Sequence, residues 1–413
     1  MRPHGGAPDR PPVERPRHAC GDIGEVSGEA GRGGVKPLDG VKVVEIGQVF
    51  AGPYAGAILA DLGADVIKVE KPQGGDDARQ MGREFRRGDA LVFHEFNRGK
   101  RSVALDLKSA EGMAALHALL EQADILLHNM RPGVPETLGL GGAETTARHT
   151  RLIYCEMGAF GHQGPMKDHP GYEPLLQAFS GLSSITGEPG GKPVRMGASV
   201  VDQGTGMWTV IGALAALRQR EVTGRGCVIN TSLFETAFAW ANQKVSAFVN
   251  QREQPVRHAS GHPGFVPYEA FDASDSPLLV CCGNDRLFAK FARVLGHSEW
   301  PADPRFLTNR DRIAHKDALL PMIREIMLGR RRVEWLGLLV EAGVPCAPIN
   351  TIEEMLAEPQ AAAMQMLATP PGEDFAVVAT PISFDGVRPL PPRGAPRLDE
   401  HAGAGFSPGP SGR

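Results

Sequence analysis

The chain has 413 residues, of which 42% are hydrophobic and 22% are charged, a composition typical of a globular enzyme. The formal net charge of −4 leaves no basic surplus, which argues against a nucleic-acid partner. The longest apolar runs are shorter than the ~20 residues that cross a bilayer, and we expect neither a signal peptide nor a membrane partner.

Residues 1–35 are rich in proline, glycine and charged side chains, which predicts a disordered N-terminal tail. From residue 36 to residue 230, short β-branched runs alternate with helical segments of ~10–14 residues. This alternation predicts an α/β domain in which helices cover both faces of a parallel sheet. The expected strands are 41–46, 65–70, 102–107, 124–129 and 152–157, and the expected helices are 53–62 and 109–122.

A longer helix is predicted from Thr205 to about Glu221, because apolar residues recur at helical spacing along it. We expect this stripe to face the core. Its members are Met207, Val210, Ile211, Leu214 and Leu217.

The second half of the chain predicts a smaller α/β domain. Residues 231–260 form a linker helix region with a helix over 233–248, and 261–342 form the small domain. Within it we expect a strand at 278–282 and helices at 287–295 and 317–328, with strand-like segments following at 343–350 and 376–382. Residues 396–413 are again a Pro/Gly-rich C-terminal tail.

Several common active-site motifs are not found in the sequence. The turn Gly47–Pro53 does not match GxGxxG, and no P-loop, HExxH or GxSxG occurs, which disfavours NAD enzymes, ATPases, zinc proteases and serine esterases. The six cysteines form no CxxC pair, so we expect reduced thiols in a cytoplasmic protein with no metal site and no permanently bound cofactor. The basic run Arg98–Arg101 fits either a phosphorylated small ligand or a solvated turn.

A set of motifs occurs in one order between about residues 37 and 390. They are Gly40–Glu45 with Ala51–Pro53 and Asp61–Glu70, Asn97–Ser102 with Leu105–Lys108, Asn129–Gly133, Gly171–Glu173 with Gln177–Gly181, Asp202–Gly206, His262–Pro263 with Pro267–Tyr268, Gly283–Asp285, and Val344–Pro345 with Ile349–Asn350. Together these segments resemble the class III CoA-transferase family, which includes formyl-CoA transferases, carnitine CoA-transferases and 2-methylacyl-CoA racemases. One such motif is a weak signal, but the whole series in order is a strong one.

The resemblance implies a fold and an assembly. Relatives have a large Rossmann-like domain built from both ends of the chain, so residues 343–395 are expected to return to it. Two ring-shaped chains interlock in relatives, so the resemblance also implies an interlocked homodimer.

The resemblance assigns Asp202 as the catalytic nucleophile of a CoA transfer between carboxylic acids. An aspartate has a reference pKa of ~3.9, so it is ionised at neutral pH and needs no base to attack a thioester. The helix expected at Gly204–Gly206 offers free backbone N–H groups, and its glycines allow close approach of acyl-CoA. The local sequence alone favours the interpretation of Asp202 as a helix N-cap, and one residue can serve both roles.

Glu173 lies where the family places an acidic catalytic residue, and we expect it to position the thioester or move protons. The alternative is an exposed acid at a helix N-terminus. Racemases of the family carry a histidine base at the position of Tyr172, so the racemase alternative loses a base. A catalytically idle CoA-binding protein is a second alternative, which an intact Asp202 disfavours. The stretch Ala259–Gly264 departs from the polyglycine loop of formyl-CoA transferases and favours a larger acid, which we expect to be a dicarboxylic acid.

The resemblance also implies the residues that bind coenzyme A, which is a substrate here. Basic side chains suit its phosphates and apolar ones its adenine, although Phe50 and Met130 fit a core equally well. The expected CoA-binding residues are Phe50, Ala51, Lys71, Leu105, Lys108, Asn129, Met130 and Arg131.

Overall fold

A computed structural model describes residues 36–407, so the tail predicted for residues 1–35 lies outside the described residues. The strands are β1 (Lys42–Ile46), β2 (Asp65–Glu70), β3 (Phe85–Arg86), β4 (Asp89–Ala90), β5 (Arg101–Ala104), β6 (Ile125–His128), β7 (Ile153–Gly158), β8 (Val228–Ser232), β9 (Tyr268–Asp272), β10 (Pro277–Cys281), β11 (Cys346–Pro348), β12 (Leu367–Ala368) and β13 (Val377–Val378). The helices are α1 (Ala51–Asp61), α2 (Leu91–Asn97), α3 (Ala110–Leu120), α4 (Val134–Thr137), α5 (Gly142–Arg148), α6 (Glu173–Phe179), α7 (Val200–Thr223), α8 (Leu233–Trp240), α9 (Asn242–Gln251), α10 (Asp285–Val294), α11 (Asn309–Ala314), α12 (Lys316–Met327), α13 (Arg332–Glu341), α14 (Ile352–Ala357) and α15 (Pro359–Met364). Within the described range, no helix is long and apolar enough to cross a membrane.

Six parallel strands form the central sheet in the order β5-β2-β1-β6-β7-β8. The predicted parallel α/β sheet is therefore confirmed, with β8 as an additional strand that periodicity did not predict. Both faces of the sheet are apolar, because consecutive residues of the strands are apolar and neighbouring residues point to opposite sides. Val43 packs with α1 and α7 on one face, and Val44 packs with α3 on the other.

The strand order places a crevice at a defined point of the sheet. The chain runs outward from β1 through β2 to β5, and in the other direction from β6 through β7 to β8. Loops that follow β1 and β6 therefore diverge at the carboxyl ends of these two adjacent strands. In open α/β sheets this switch point is where ligands bind.

Helix α7 begins five residues before the predicted start. Val200 is its first residue, and Ser199 is the N-cap. The prediction was wrong because Gly204 and Gly206 have low helix propensity, whereas in the folded chain their missing side chains allow close packing. A Cβ on Gly204 would lie 2.8 Å from the ring of Trp240, and one on Gly206 would lie 2.9 Å from the carbonyl oxygen of Ala51.

The apolar stripe of α7 does not face the core as a unit. Val210 is buried, but Met207, Ile211 and Leu214 are exposed in the single chain. The core-facing positions are instead small, with Ala213 and Ala216 both buried. The predicted orientation was therefore wrong for these three exposed members of the stripe.

A second, smaller sheet is antiparallel and has the strand order β11-β10-β9. Its core is rich in aromatic side chains, including Phe288, Phe291 and Trp335. Strand β11 lies in the segment that was expected to return to the large domain, yet Cys346 pairs with Val280 of β10. The boundary predicted at residue 343 therefore lies too early, because β11 is the third strand of the small sheet.

The C-terminal residues are not a free tail over the part that the structure describes. The backbone N–H of His401 donates to the carbonyl of Ser102, and the N–H of Ala104 donates to Asp399. Arg101 also donates to the carbonyl of Gly405 at 2.7 Å. Residues 399–405 thus cover β5, which is an edge strand of the large sheet and would otherwise have unpaired backbone groups.

Candidate active site

A cleft of 1180 Å³ opens at the switch point of the sheet. All ten residues that the sequence indicated as catalytic or CoA-binding line this one cleft. They are Phe50, Ala51, Lys71, Leu105, Lys108, Asn129, Met130, Arg131, Glu173 and Asp202. They come from loops after β1, β2, β5 and β6 and from the first turns of α1, α6 and α7, so the fold brings together residues up to 152 positions apart (202 − 50).

Asp202 is the third residue of α7 and is half-buried at the cleft wall. It is not the N-cap, since Ser199 holds that position. Among the described residues, its carboxylate has no hydrogen-bond or ion-pair partner. Burial and the neighbouring charge of Glu173 raise the pKa of Asp202 to about 7, although a position at a helix N-terminus favours the ionised form.

Glu173 begins α6 and is only 3% exposed, so its interpretation as an exposed helix-terminal acid is wrong. Its Oε1 atom accepts hydrogen bonds from Gln177 Nε2 at 2.6 Å and from the Val201 N–H at 3.4 Å. Its Oε2 atom is buried without a partner in the described part of the chain. A buried carboxylate oxygen that lacks a partner is costly, and a substrate group that enters the cleft can supply one.

The backbone around Gly204 and Gly206 does not serve the role expected from the sequence. These residues lie inside α7, and their missing side chains face Trp240 and Ala51 rather than the cleft. The positive end of the helix is at Val200–Asp202 instead. The corrected helix start therefore places Asp202, rather than the glycines, among the first-turn amides.

The expected CoA-binding side chains differ in their partners. Lys71 forms an exposed ion pair of 2.6 Å with Asp77, so its charge is shared. Lys108 and Arg131 also line the cleft. Phe50 both lines the cleft and packs on Phe96, with ring centroids 4.8 Å apart, so packing and a ligand contact are compatible at this residue.

The basic run Arg98–Arg101 is neither a ligand site nor a solvated turn. Arg98 pairs with Asp61 at 2.7 Å, and both side chains are almost fully buried. Lys100 pairs with Glu45 at 2.6 Å, and both are fully buried. These ion pairs could not be predicted from the sequence, because the acidic partners are distant in the chain. Asp61 lies on α1, 37 residues before Arg98 (98 − 61), and Glu45 lies on β1, 55 residues before Lys100 (100 − 45).

Sequence reasoning also missed residues behind the cleft wall. Lys68, on β2, is fully buried and pairs with Asp76 at 2.9 Å. Asp76 in turn accepts a hydrogen bond from the N–H of Val49 in the cleft wall. A single lysine within the apolar run Val66–Val69 was the available signal, because lysine is almost never fully buried unless it is paired.

Comparisons with known proteins agree with the geometry. The family model described as CoA-transferase family III matches residues 38–402. The chain is 37% identical over 371 residues to an acetyl-CoA:oxalate CoA-transferase of Acetobacter aceti, covering 89% of this chain and 94% of that protein. It is 38% identical over 375 residues to a succinate–glutarate CoA-transferase of Agrobacterium fabrum (strain C58 / ATCC 33970), covering 88% and 94%.

A solved structure has the same fold. The crystal structure of a CAIB/BAIF family protein from Brucella suis superimposes with a TM-score of 0.82 at 36% identity, covering 89% of this chain and 98% of that one. The sequence and structural matches therefore extend over nearly the same share of the chain. The chain belongs to CoA-transferase family III.

Proposed function

We propose that the protein transfers coenzyme A from an acyl-CoA donor to a dicarboxylic acid through covalent intermediates on Asp202. The observation that carries the proposal is the carboxylate of Asp202, which has no partner in the described chain and faces a cleft large enough for a cofactor-sized ligand. The relatives' names are consistent with it, since they specify oxalate and glutarate.

The reaction runs in four balanced steps. An oxygen of Asp202 attacks the thioester carbon of the donor, the C–S bond breaks, and a mixed anhydride and CoA thiolate form. The thiolate then attacks the aspartyl carbon, which releases the donor acid and leaves an aspartyl-CoA thioester. The acceptor carboxylate attacks this thioester and expels the thiolate, and the thiolate finally attacks the acceptor's acyl carbon, which frees Asp202.

Glu173 strengthens the nucleophile through its charge. Two carboxylates in a partly buried site repel each other, and this repulsion contributes to the raised pKa of Asp202. A more basic carboxylate is a better nucleophile, and acylation of Asp202 removes the repulsion. We therefore propose that Glu173 favours the covalent intermediates over the free carboxylate, while its unpartnered Oε2 atom contacts the substrate.

The racemase alternative needs a base on each face of the α-carbon. Tyr172 lies beside Glu173 in the cleft wall, where the racemases carry a histidine, and a tyrosine is not a base near neutral pH. The second alternative, an idle CoA-binding protein, does not account for a carboxylate held without a partner beside Glu173.

A trapping experiment tests the proposed chemistry. The protein is incubated with succinyl-CoA and then with hydroxylamine, which converts an aspartyl thioester or anhydride to a hydroxamate, and peptides are read by mass spectrometry. We expect modification of Asp202 and none in an Asp202→Asn variant. Deuterium uptake at C2 of a 2-methylacyl-CoA in D₂O, without modification of Asp202, would overturn the proposal. A panel of succinyl-, acetyl-, formyl- and glutaryl-CoA against dicarboxylates then identifies the substrates.

We also propose that the protein is an interlocked cytoplasmic homodimer. The outward face of α7 is apolar in the single chain, with Met207, Trp208, Ile211 and Leu214 each at least 37% exposed. A contiguous apolar surface of this kind is typical of a protein interface, and a second copy of the chain is the partner that the family resemblance implies. The five described cysteines are free thiols, which supports a reducing compartment.

A further inference from the structure

The turn between β1 and α1 carries an unusual backbone conformation at the wall of the cleft. Val49 has φ 67°, in the left-handed region that β-branched residues rarely adopt. Its neighbours Gln48 and Phe50 line the cleft with it. Such a conformation persists only where surrounding groups enforce it, and it often marks a functional site.

The buried ion pair between Lys68 and Asp76 holds the backbone of this turn. The N–H of Val49 donates to Oδ1 of Asp76 at 2.9 Å. The other carboxylate oxygen of Asp76 lies 2.9 Å from Lys68 Nζ, and both side chains are fully buried. Lys68 Nζ also donates to the carbonyl of Gly47 at 2.7 Å and to Glu45 at 2.9 Å. One lysine and one aspartate therefore hold the backbone on both sides of Gln48.

A second clamp fixes the turn from the neighbouring strand. The Asn129 side chain, which follows β6, accepts a hydrogen bond from the Gln48 N–H and donates one to the Gln48 carbonyl, both at 2.8 Å. Both polar atoms of this side chain are thus engaged by one residue of the turn. The loops after the two strands that flank the switch point are joined through this pair of bonds.

The turn leads directly to the helix that touches the nucleophile's helix. Ala51 follows the turn as the first residue of α1, and its carbonyl lies against Gly206 of α7, one turn from Asp202. A change in the turn therefore moves the cleft wall that faces Asp202. We propose that Asp76, held by Lys68, and Asn129 are positioning residues that keep Val49 left-handed and so set the shape of the CoA cleft.

The proposal rests on the proposed function only in that coenzyme A occupies this cleft. It assigns Asn129 a role that acts through the Gln48 backbone, whereas the sequence indicated a direct CoA contact. The two roles differ in one respect. If Asn129 contacts coenzyme A directly, its replacement removes that contact whatever residue occupies position 49. If it supports the turn, its replacement matters less when position 49 adopts a positive φ without strain, as glycine does.

The test is a double-mutant cycle. Asp76→Ala and Asn129→Leu are made in the wild-type chain and in a Val49→Gly background, and KM and kcat are measured with succinyl-CoA and the best acceptor. Each single variant is expected to raise KM for the acyl-CoA about tenfold, with a smaller change in kcat. In the Val49→Gly background the increase is expected to shrink at least about fivefold, since contacting sites are not additive.

Two controls isolate the turn. Gln365 has φ 49° but does not line the cleft, so a Gln365→Gly background should leave the effect of Asp76→Ala undiminished. Thr308→Ala removes a helix cap in the small domain, which lowers stability without affecting the cleft.

Because Asp76→Ala removes one partner of a buried ion pair and can impair folding, Asn129→Leu is the second, half-buried test site.

Hydrogen exchange gives a readout that does not depend on activity. Amides of residues 47–50 should exchange at least about tenfold faster in Asp76→Ala and Asn129→Leu than in wild type, and not in Thr308→Ala. Unchanged exchange, or a rise in KM that persists in full in the Val49→Gly background, would overturn the proposal. A wild-type protein that neither binds free coenzyme A by calorimetry nor transfers it would instead refute the proposed function. The hydrogen-exchange rates of residues 47–50 would still test whether Asp76 and Asn129 hold the turn.

Discussion

Glu173 lies near enough to Asp202 for its charge, added to the effect of burial, to raise the pKa of Asp202 to about 7. Because the ionised carboxylate is the proposed nucleophile, we expect the transfer rate to rise with pH through about 7. Glu173→Gln removes the charge, so the midpoint of the kcat/KM profile should move to lower pH. Glu221→Gln, at the far end of α7, is the matched control and should leave the midpoint unchanged.

The same raised pKa predicts a stability difference in Asp202→Asn. Between the unfolded pKa of 3.8 and the folded pKa of about 7, the folded chain keeps a proton that the unfolded chain releases, so stability falls as pH rises through this window. Asparagine has no such dependence. We expect the variant to be about 1–3 kcal/mol more stable than wild type at pH 8 and nearly equal at pH 4, by urea unfolding at one protein concentration.

If Asp202 is the nucleophile, the same Asp202→Asn variant should lose transfer activity. The raised pKa of Asp202 predicts that it nevertheless gains stability at pH 8. A loss of transfer activity of about 10⁴-fold or more is expected for removal of a covalent nucleophile. A variant that loses stability at pH 8 would show that Asp202 supports the fold instead.

Gly56→Ala should be among the most destabilising substitutions in the chain. A Cβ on Gly56 would overlap Oε2 of Glu45, which is fully buried between Lys68 and Lys100. Displacing this carboxylate breaks a buried charge network, so we expect a loss of about 3 kcal/mol or more in unfolding free energy. Gly337→Ala, in α13, meets no atom within 4 Å and should be neutral or slightly stabilising.

Deletion of residues 396–413 should expose the edge of the large sheet. The strand β5 would lose its bonds from His401 and to Asp399, and the ion pair of Arg101 with Asp65 would lose the neighbouring carbonyl of Gly405. We expect the melting temperature to fall by several degrees and aggregation to increase. Asp399→Ala removes one of these hydrogen bonds and should lower the melting temperature to a smaller extent. An unchanged melting temperature after the deletion would show that residues 396–413 add nothing to stability.

Ile211→Glu tests the proposed dimer. Ile211 is 52% exposed on α7 in the single chain, so glutamate there should not disturb the monomer fold. In a homodimer that covers this face, a buried unpaired charge is costly, and ultracentrifugation should show monomers or insoluble protein. Val340→Glu, at 66% exposure on the small domain, is the control and should sediment like wild type. An Ile211→Glu protein that remains a dimer would place the interface elsewhere.

The sequence by itself determined the α/β class, the parallel strands and, through the family resemblance, ten of the residues that line the cleft. Strands such as Asp65–Glu70 are recognisable because an apolar β-branched run is a local pattern, and Asp202 and Glu173 were assigned through the family resemblance that their contiguous motifs carry. Tertiary structure decided what depends on partners distant in the chain. It started α7 at Val200, because close packing of Gly206 against Ala51 outweighs the low helix propensity of glycine.

Tertiary structure also decided the charge states and the supports of the site. The pKa of Asp202 depends on burial and on Glu173, 29 residues earlier in the chain (202 − 173), and the partners of Arg98 and Lys100 lie on other elements. The turn with the left-handed Val49 is held by Asp76, which accepts the Val49 N–H, and by Asn129, which bonds to Gln48, and the fold brings both residues to it from other loops. Electrostatic and hydrogen-bonded pairs act over a few ångströms in space, and local sequence patterns carry no information on which distant residues meet at that range.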